Sequence, residues 1–395
     1  MNTTNRRTTK RRLASLCRWA TLGLLLSWTS CAGAERVAVP LRAQPTPKPA
    51  PFVRGANAEA GAGPPTVVLL ALDGVRWEDV FLGVEADLAE EQGLAPGEVL
   101  SARELMPNLH ALIETTGTAL GAPERGHGVF VAGPEPFSLP GYLELLTSRK
   151  DTGCTTNGCA PTTLPTLADD FRAQSGPDDV AVISSWEGIE RASARDPSAI
   201  IVSTGRSRGS NLDRLRYDPQ AAALLDAGAK SGPTPGHGDF RRDKQTAEIA
   251  LRYLAVRKPH FLFLGLGETD EYAHRDDYRG YLKALQHGDA VIGRVLETLH
   301  DLRREGRRTT LFVTTDHGRA AEFIRHGGDA PESARVWLVA AGHGIAARGL
   351  AATEAARTLV DLSQTIRHVG DLPPRGGGTP LVELLEDEAA RVATR

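Results

Sequence analysis

Three apolar segments of the chain are each followed by an acidic residue. The segments T-V-V-L-L-A-L, H-F-L-F-L-G-L-G and T-L-F-V-T-T lead, directly or within three residues, to Asp73, Asp270 and Asp316. A single acid in such a position is most often a turn or helix-capping residue. Three of them are better explained if they lie together, because the carboxyl ends of parallel strands meet at one edge of a sheet, where binding sites form.

Histidines accompany these acids at spacings that suit metal binding. His274 follows Asp270 by four residues in E-T-D-E-Y-A-H, so one helical turn would place both side chains on one face. His317 is adjacent to Asp316 in T-D-H-G, and His326 follows in R-H-G-G. Three carboxylates and three imidazoles suit Zn²⁺ or a similar transition metal, and six ligands suffice for two ions.

The elements that must position these residues follow from the hydrophobic pattern. Continuous apolar runs of strand length predict strands buried on both faces, at 66–74, 180–185, 260–267, 310–315 and 336–342. Apolar residues at helical spacing, or proline in a first turn, predict helices near Pro107 and over 244–254 and 281–299. This alternation predicts an α/β fold with a mostly parallel central sheet and helices on both faces.

Residues 1–34 have the features of an export signal. Basic residues precede a short apolar segment, Ala20 to Trp28, which is too short to span a bilayer. The A-x-A sequence Ala32 to Ala34 predicts cleavage before Glu35, and the alternative is a lipid anchor at Cys31. We therefore expect an exported protein, periplasmic or secreted, with no transmembrane helix in the mature chain.

The rest of the chain divides into a tether and one domain. Residues 35–65 are rich in proline, alanine and glycine, which predicts a tether, and residues 66–395 are interpreted as the catalytic domain. A net charge of −3 with 24% charged residues is ordinary and argues against a nucleic-acid partner. Cys154 and Cys159 share one loop, and in an exported protein this spacing predicts a local disulfide.

Six short motifs, in order along the chain, resemble those of the alkaline phosphatase superfamily. They are L-D-G, M-P-N-L, F-S-L-P-G-Y with a following L-L-T, D-E-Y-A-H, T-D-H-G and H-G-G, all between Val67 and Gly342. The resemblance is to the branch that includes nucleotide pyrophosphatase/phosphodiesterases and cofactor-independent phosphoglycerate mutases. It implies an alkaline phosphatase-like fold and an enzyme that hydrolyses a small phosphate ester.

The resemblance also implies a role for each site residue. The ligands implied for two divalent ions, Zn²⁺ by preference and Mn²⁺ as the alternative, are Asp270, His274 and His326 for one, and Asp73, Asp316 and His317 for the other. Ser138 occupies the position of the nucleophile, and Asn157 that of a donor to a phosphate oxygen. The reaction would be hydrolysis of a phosphate mono- or diester through a phosphoserine intermediate.

Other roles for these and nearby residues remain open. Ser138 also fits a helix N-cap, and Asn157 also fits a turn in a glycine-rich loop. His343 is a rival to His326 as the last ligand and is interpreted as a loop residue. Glu268 is a candidate for orienting a metal ligand, and the candidates for contacts with the substrate are Arg149, Lys150, Arg319 and Arg325.

Two other functions are considered. A sulfatase of the same fold would need C/S-x-P-x-R, and here Tyr142 stands where the arginine would be. A non-catalytic, metal-stabilised binding protein of the cell envelope would share the ligands, but the presence of Ser138 together with all six argues against it. The preferred hypothesis is an exported two-metal phosphohydrolase.

Overall fold

The computed structural model describes residues 65–387. Its strands are β1 (Thr66–Leu72), β2 (Gly117–Leu120), β3 (Val129–Phe130), β4 (Val180–Ser184), β5 (Ile201–Thr204), β6 (Arg208–Ser210), β7 (Phe261–Leu266), β8 (Thr309–Thr314), β9 (Arg335–Val336), β10 (Leu338–Gly342), β11 (Gly349–Leu350) and β12 (Arg357–Thr358). Its helices are α1 (Trp77–Phe81), α2 (Ala86–Glu91), α3 (Ala102–Leu105), α4 (Pro107–Thr115), α5 (Ser138–Thr147), α6 (Leu167–Gln174), α7 (Glu190–Ser193), α8 (Pro219–Lys230), α9 (Asp243–Arg257), α10 (Glu268–Ala273), α11 (Tyr278–Arg304) and α12 (Leu359–Val369).

A sheet of nine strands organises the described part of the chain, in the order β11-β2-β10-β8-β1-β7-β4-β5-β6. Strand β1 lies at its centre and pairs in parallel with both β7 and β8, so that Leu69 stands opposite Phe263 on one side and Phe312 on the other. Strands β4 and β5 continue the parallel pairing beyond β7. The predicted mostly parallel central sheet is therefore confirmed.

Helices cover both faces of this sheet, which explains why the central strand β1 is apolar from Val67 to Leu72. Alternate residues of β1 belong to two separate apolar cores: Val68 and Leu70 pack on the side of α4, α9 and α11, while Val67 and Leu69 pack on the side of α5, α6 and α12. All four side chains are fully buried. Each buried side chain of this size contributes about 1.5–3 kcal/mol to stability.

The edges of the sheet depart from the parallel pattern. Strand β10 runs antiparallel to both β8 and β2, and β6 runs antiparallel to β5. The single strand expected over 336–342 is divided at Trp337, because β9 leaves the large sheet and pairs with β3 in a second sheet of three strands, β12-β3-β9. The apolar run alone gave no sign of this change of partner.

The M-P-N-L motif fixes helix α4 to helix α11. Asp289 of α11 accepts hydrogen bonds from the backbone N–H and the side-chain amide of Asn108, at 3.0 and 2.8 Å, and from the N–H of Leu109 at 2.8 Å. A carboxylate from another helix thus satisfies N–H groups that a helix N-terminus cannot pair internally. Pro107 begins the helix, as its sequence position predicted.

The predictions for the export signal and the tether, including cleavage before Glu35 and the lipid anchor at Cys31, lie outside the described residues. Over residues 65–387, none of the helices combines the length and apolar character needed to cross a bilayer. The predicted disulfide between Cys154 and Cys159 is formed, with the two Cα atoms 5.7 Å apart.

Candidate active site

The parallel pairing of β1, β7 and β8 brings the acids that follow these strands to one edge of the sheet. Asp73 comes directly after β1, Asp316 lies two residues beyond β8, and Asp270 is in the first turn of α10, which follows β7. His317 joins them, since its Nε2 lies 3.5 Å from Asp73 Oδ1 and 3.6 Å from Asp316 Oδ2. The three strand-end acids are thus neighbours in space, as the sequence predicted.

Asp73, Asp316 and His317 form a first group whose ligand atoms lie within 4.8 Å of one another. In each residue a hydrogen bond holds one side-chain atom, and a second side-chain atom faces the other members of the group. Tyr142 donates its hydroxyl to Asp73 Oδ2 at 3.0 Å, the N–H of Gly74 donates to Asp316 Oδ1 at 3.2 Å, and His317 Nδ1 bonds Gly318 O at 2.8 Å. These bonds leave Asp73 Oδ1, Asp316 Oδ2 and His317 Nε2 directed at one another.

The remaining oxygens of this group fit a cation. Asp73 Oδ1 and Asp316 Oδ2 are buried and have no hydrogen-bond partner among the described residues. An unpaired carboxylate oxygen is costly to bury unless a metal or another positive group is beside it. Because His317 Nδ1 faces a carbonyl oxygen, its proton is held there and the lone pair of Nε2 is free to bind a metal.

The protonation tendencies of the group follow from its burial. Burial raises the pKa of Asp73 and the nearby charge of Asp270 raises it further, while Tyr142 opposes both. Burial likewise raises the pKa of Asp316, reinforced by the charge of Asp73. Burial lowers the pKa of His317 to about 4, so its imidazole is neutral at physiological pH. Mutually repelling carboxylates beside a neutral imidazole are an environment that a divalent cation stabilises.

The second predicted group comprises Asp270, His274 and His326. His274 Nε2 lies 3.1 Å from Asp270 Oδ2 and 3.0 Å from His326 Nε2. His326 Nδ1 bonds Pro136 O at 3.1 Å, which directs its Nε2 into the site. The ligand atoms that lie within 4.8 Å of one another here are those of Asp270, His317 and His326, so His317 is shared with the first group and His274 is not in this set. The division of six ligands between two ions stays a prediction.

Arg319 is a constituent of the site whose place the sequence left unassigned. Its guanidinium forms an ion pair with Asp270 Oδ1, and its side chain is fully buried. Burial alone would raise the pKa of Asp270, but Arg319 and the hydrogen bond from His274 outweigh it and hold that pKa well below its usual range. Asp270 is therefore ionised at physiological pH.

Ser138 is the first residue of α5 and lies against the first group. Its Oγ is 3.3 Å from His317 Nε2, and the side chain is buried. The N-cap of α5 is Phe137, so the alternative role of Ser138 as the N-cap is wrong by one position. Gly141 allows the helix this close approach, because a Cβ atom at that position would lie 2.3 Å from the carbonyl oxygen of Asp316.

Asn157 lies at the N-terminal end of the same helix. Its Oδ1 accepts a hydrogen bond from the N–H of Leu139 at 2.8 Å, and its backbone carbonyl accepts one from Arg191 at 2.7 Å. Since the oxygen of the amide faces the helix, the NH₂ group is the part that can donate elsewhere. The disulfide between Cys154 and Cys159 closes the loop that carries Asn157.

Tyr142 has a role that sequence reasoning missed. It was noted only as the residue that replaces an arginine of the sulfatase pattern, yet its hydroxyl holds Asp73. The available signal was spacing: Tyr142 follows Ser138 by four residues, so both lie on one face of α5. That face is the one turned toward the metal ligands.

The bonds described for His343 and Glu268 go to residues outside the two groups. The backbone N–H of His343 donates to the carbonyl of Thr309, which begins β8, so His343 is at the opposite end of that strand from Asp316 and its interpretation as a loop residue is confirmed. Glu268 bonds Arg242 and the N–H of Asp243, and its suggested role in orienting a metal ligand stays a prediction. The exposed arginines and lysine of the candidate set are Arg149, Lys150 and Arg325.

Comparison with known proteins adds evidence on the family. Residues 235–366 match the family model of the metalloenzyme superfamily. This range contains Asp270, His274, Asp316, His317 and His326. No curated protein sequence matches the chain.

Solved structures of other proteins share the fold. One is the lipoteichoic acid synthase LtaP from Listeria monocytogenes, with a TM-score of 0.51, 10% identity and coverage of 82% of this chain and 77% of that chain. The phosphonate monoester hydrolase of Agrobacterium radiobacter has a TM-score of 0.50 at 15% identity, covering 82% and 78%. A 2-O GAG sulfatase has a TM-score of 0.50 at 13% identity, covering 80% and 73%. These similarities establish the fold. The match over residues 235–366 and the shared fold agree with the resemblance to the alkaline phosphatase superfamily that the motif order indicates.

Proposed function

We propose that this protein is a two-metal hydrolase of small phosphate esters that uses Ser138 as its nucleophile. The observation that carries the proposal is the position of the Ser138 hydroxyl, 3.3 Å from His317 Nε2, where ligand atoms from three strand ends converge. A buried serine at a helix N-terminus, beside two groups of Asp and His, has the geometry that covalent phosphoryl transfer requires.

The chemistry divides between the cations and the chain. Divalent ions bound by the two groups would lower the pKa of a serine hydroxyl and offset the charge of the phosphoryl group. The Ser138 hydroxyl releases its proton to water and its oxygen forms a bond to phosphorus, while the bond from phosphorus to the leaving oxygen breaks and that oxygen takes the electron pair and a proton from water. Water subsequently attacks the phosphoserine, which releases phosphate, or a phosphate monoester if the substrate was a diester, and restores the hydroxyl.

Fixed residues of the chain prepare this reaction. Hydrogen bonds from Tyr142 and Gly74 hold Asp73 and Asp316, so that the site does not have to reorganise when charge develops. The side-chain oxygen of Asn157 accepts a hydrogen bond from the N–H of Leu139, which leaves the NH₂ group to donate to a phosphate oxygen.

Phosphate is favoured over sulfate by residues near the nucleophile. The sulfatase pattern requires an arginine four residues after the modified residue, and this chain has Tyr142 there, with its hydroxyl bonded to Asp73. The fold alone does not choose between these esters, because the similar structures include a sulfatase and a phosphonate monoester hydrolase. Export remains part of the proposal and depends on the signal features of residues 1–34.

The test compares hydrolysis of p-nitrophenyl phosphate, bis-p-nitrophenyl phosphate and p-nitrophenyl sulfate by the purified protein, with its metal content measured in parallel. We expect turnover of at least one phosphate ester, and the ratio of the two phosphate rates assigns mono- or diester preference. Ser138→Ala should abolish turnover and keep the metal. Ser210→Ala, in the edge strand β6, is the matched control and should retain the wild-type rate.

Turnover confined to the sulfate ester would replace the proposal with a sulfatase. Metal content of about two ions without turnover of any ester would support a binding role. Quenching a reaction with acid and measuring the mass of the peptide that contains Ser138 tests the intermediate directly, since a phosphoserine adds one phosphoryl group to that peptide.

A further inference from the structure

Arg319 is built into the candidate site and does not resemble a mobile substrate-binding side chain. Its Nη1 pairs with Asp270 Oδ1, its Nε donates to the carbonyl of Phe323 at 2.5 Å, and its Nη2 donates to the carbonyl of Ile324 at 2.6 Å. Every nitrogen of the guanidinium therefore has a fixed acceptor. An arginine held on three sides stays in place.

The surroundings leave space for this ion pair and for little else. Gly74 has a φ of +62°, and a Cβ atom there would lie 2.5 Å from Asp270 Oδ1 and 2.7 Å from Arg319 Nη1. On the other side, the guanidinium lies 5.8 Å from the centroid of the Phe323 ring, which packs edge-on against Tyr278. The glycine and the aromatic ring together enclose the pair of Asp270 and Arg319.

Hydrogen bonding distinguishes the histidines of the two metal groups. His317 and His326 each direct Nδ1 at a carbonyl oxygen, which fixes the Nδ1 proton and leaves Nε2 as a ligand. His274 instead directs Nδ1 at Arg319 Nη2, 3.5 Å away, and Arg319 is a donor. If His274 binds a metal through Nε2, its Nδ1 proton faces another donor, which weakens it as a ligand.

The charges around the two groups also favour tighter cation binding by Asp73 and Asp316 than by Asp270. Asp73 and Asp316 present two carboxylates with no buried arginine hydrogen-bonded to either, among the described contacts. In the second group the single carboxylate, Asp270, is already paired with Arg319. A divalent cation arriving there meets a fixed positive charge and a carboxylate whose charge Arg319 already offsets.

We propose that Arg319 makes the group of Asp270, His274 and His326 the weaker of two unequal metal sites, so that the first ion binds at Asp73, Asp316 and His317. This inference rests on the two-metal part of the proposed function. It assigns to Arg319 the role of a positioning and charge-compensating residue: it orients Asp270 and limits how tightly the second ion is held.

The experiment is a calorimetric titration of Zn²⁺ into the chelator-treated protein, repeated with Mn²⁺. The wild type should show two steps with affinities at least about tenfold apart. Asp316→Asn should remove the tight step, and Asp270→Asn should remove the weak step. Arg319→Met should tighten the weak step by about tenfold or more, whereas Arg319→Lys, which keeps the charge, should leave the two affinities well separated.

Arg325→Met is the matched control, because Arg325 is exposed and pairs only with Glu322 and Asp329 among the described contacts. It should titrate like the wild type. Two equal affinities in the wild type would overturn the inference and leave the two-metal function standing. Absence of any binding would overturn both. Arg319→Met could fail to fold, which circular dichroism would show. In that case Asp316→Asn and Asp270→Asn still decide which group binds the first ion, since removal of the tight step by Asp270→Asn would refute the assignment.

Discussion

Replacing Tyr142 with phenylalanine removes one hydroxyl from the site and keeps its packing. The ring is 1% exposed and lies edge-on against Phe263, with centroids 5.8 Å apart, and both features remain available to phenylalanine. What disappears is the donor to Asp73 Oδ2. Because Asp73 is itself buried, no solvent reaches that oxygen to replace the lost hydrogen bond.

The size of the effect follows from the kind of bond. A hydrogen bond to a charged group contributes about 1.5–3 kcal/mol, and about 1.4 kcal/mol corresponds to a factor of ten in affinity. We therefore expect Tyr142→Phe to weaken metal binding at Asp73 by about ten- to a hundredfold, the range found when residues that orient metal ligands are changed.

The pH dependence has a defined sign. Burial raises the pKa of Asp73, and the hydroxyl of Tyr142 is one of the groups that oppose the rise. Without it the pKa rises further, so protons compete with the metal at higher pH. As the pH is lowered, Tyr142→Phe should lose its metal before the wild type does, as measured by elemental analysis after dialysis at each pH.

Tyr253→Phe provides the matched control for this variant. Tyr253 is equally buried, but its hydroxyl donates to the carbonyl of Asp178, away from the ligands. It should lose stability and keep the metal affinity and its pH profile. If both variants bind metal like the wild type, the hydroxyl does not hold Asp73 for metal binding and the reasoning is refuted.

Three further substitutions test other parts of the site. Asp316→Asn should lose about one of two ions, and unchanged metal content on elemental analysis would contradict its role as a ligand. Gly141→Ala places a methyl group 2.3 Å from the carbonyl of Asp316, so we expect a loss of about 1–3 kcal/mol in the free energy of unfolding and a lower kcat; a denaturant titration matching wild type would show that the helix does not need this contact. Replacing Cys154 and Cys159 by serine frees the loop of Asn157 and should raise KM for phosphate esters with metal content unchanged. An unaltered KM would show that substrate binding does not depend on the disulfide.

Much of the core could be predicted because its pattern is local. Strand β1 is apolar at every position from Val67 to Leu72, since it packs residues into a core on each face, and this pattern is visible in the sequence. The three acids at the strand ends were predictable for the same reason, because the rule that places them depends only on parallel strand direction. The break at Trp337 was not, since it depends on the pairing of β9 with β3.

The contacts that shape the site could not be predicted, because they join distant parts of the chain. Arg319 meets Asp270 across 49 positions, and Tyr142 meets Asp73 across 69. Neither partner has a local signature, since an arginine after T-D-H-G and a tyrosine inside a helix are compatible with many surroundings. Only the register of the strands and the approach of α5 decide which side chains meet.

The same topology makes metal binding depend on the pairing of β1 with β8. The hydrogen bond between Gly74 and Asp316 spans 242 positions, and it forms only when β8 has docked beside β1. Contacts between residues so far apart form slowly, because a long loop must close first. A chain synthesised only as far as β7 has Asp73 but neither Asp316 nor His317, and it has no complete set of ligands. Metal uptake is then a signal that β8 has paired with β1, and the binding free energy stabilises only states in which that pairing has formed.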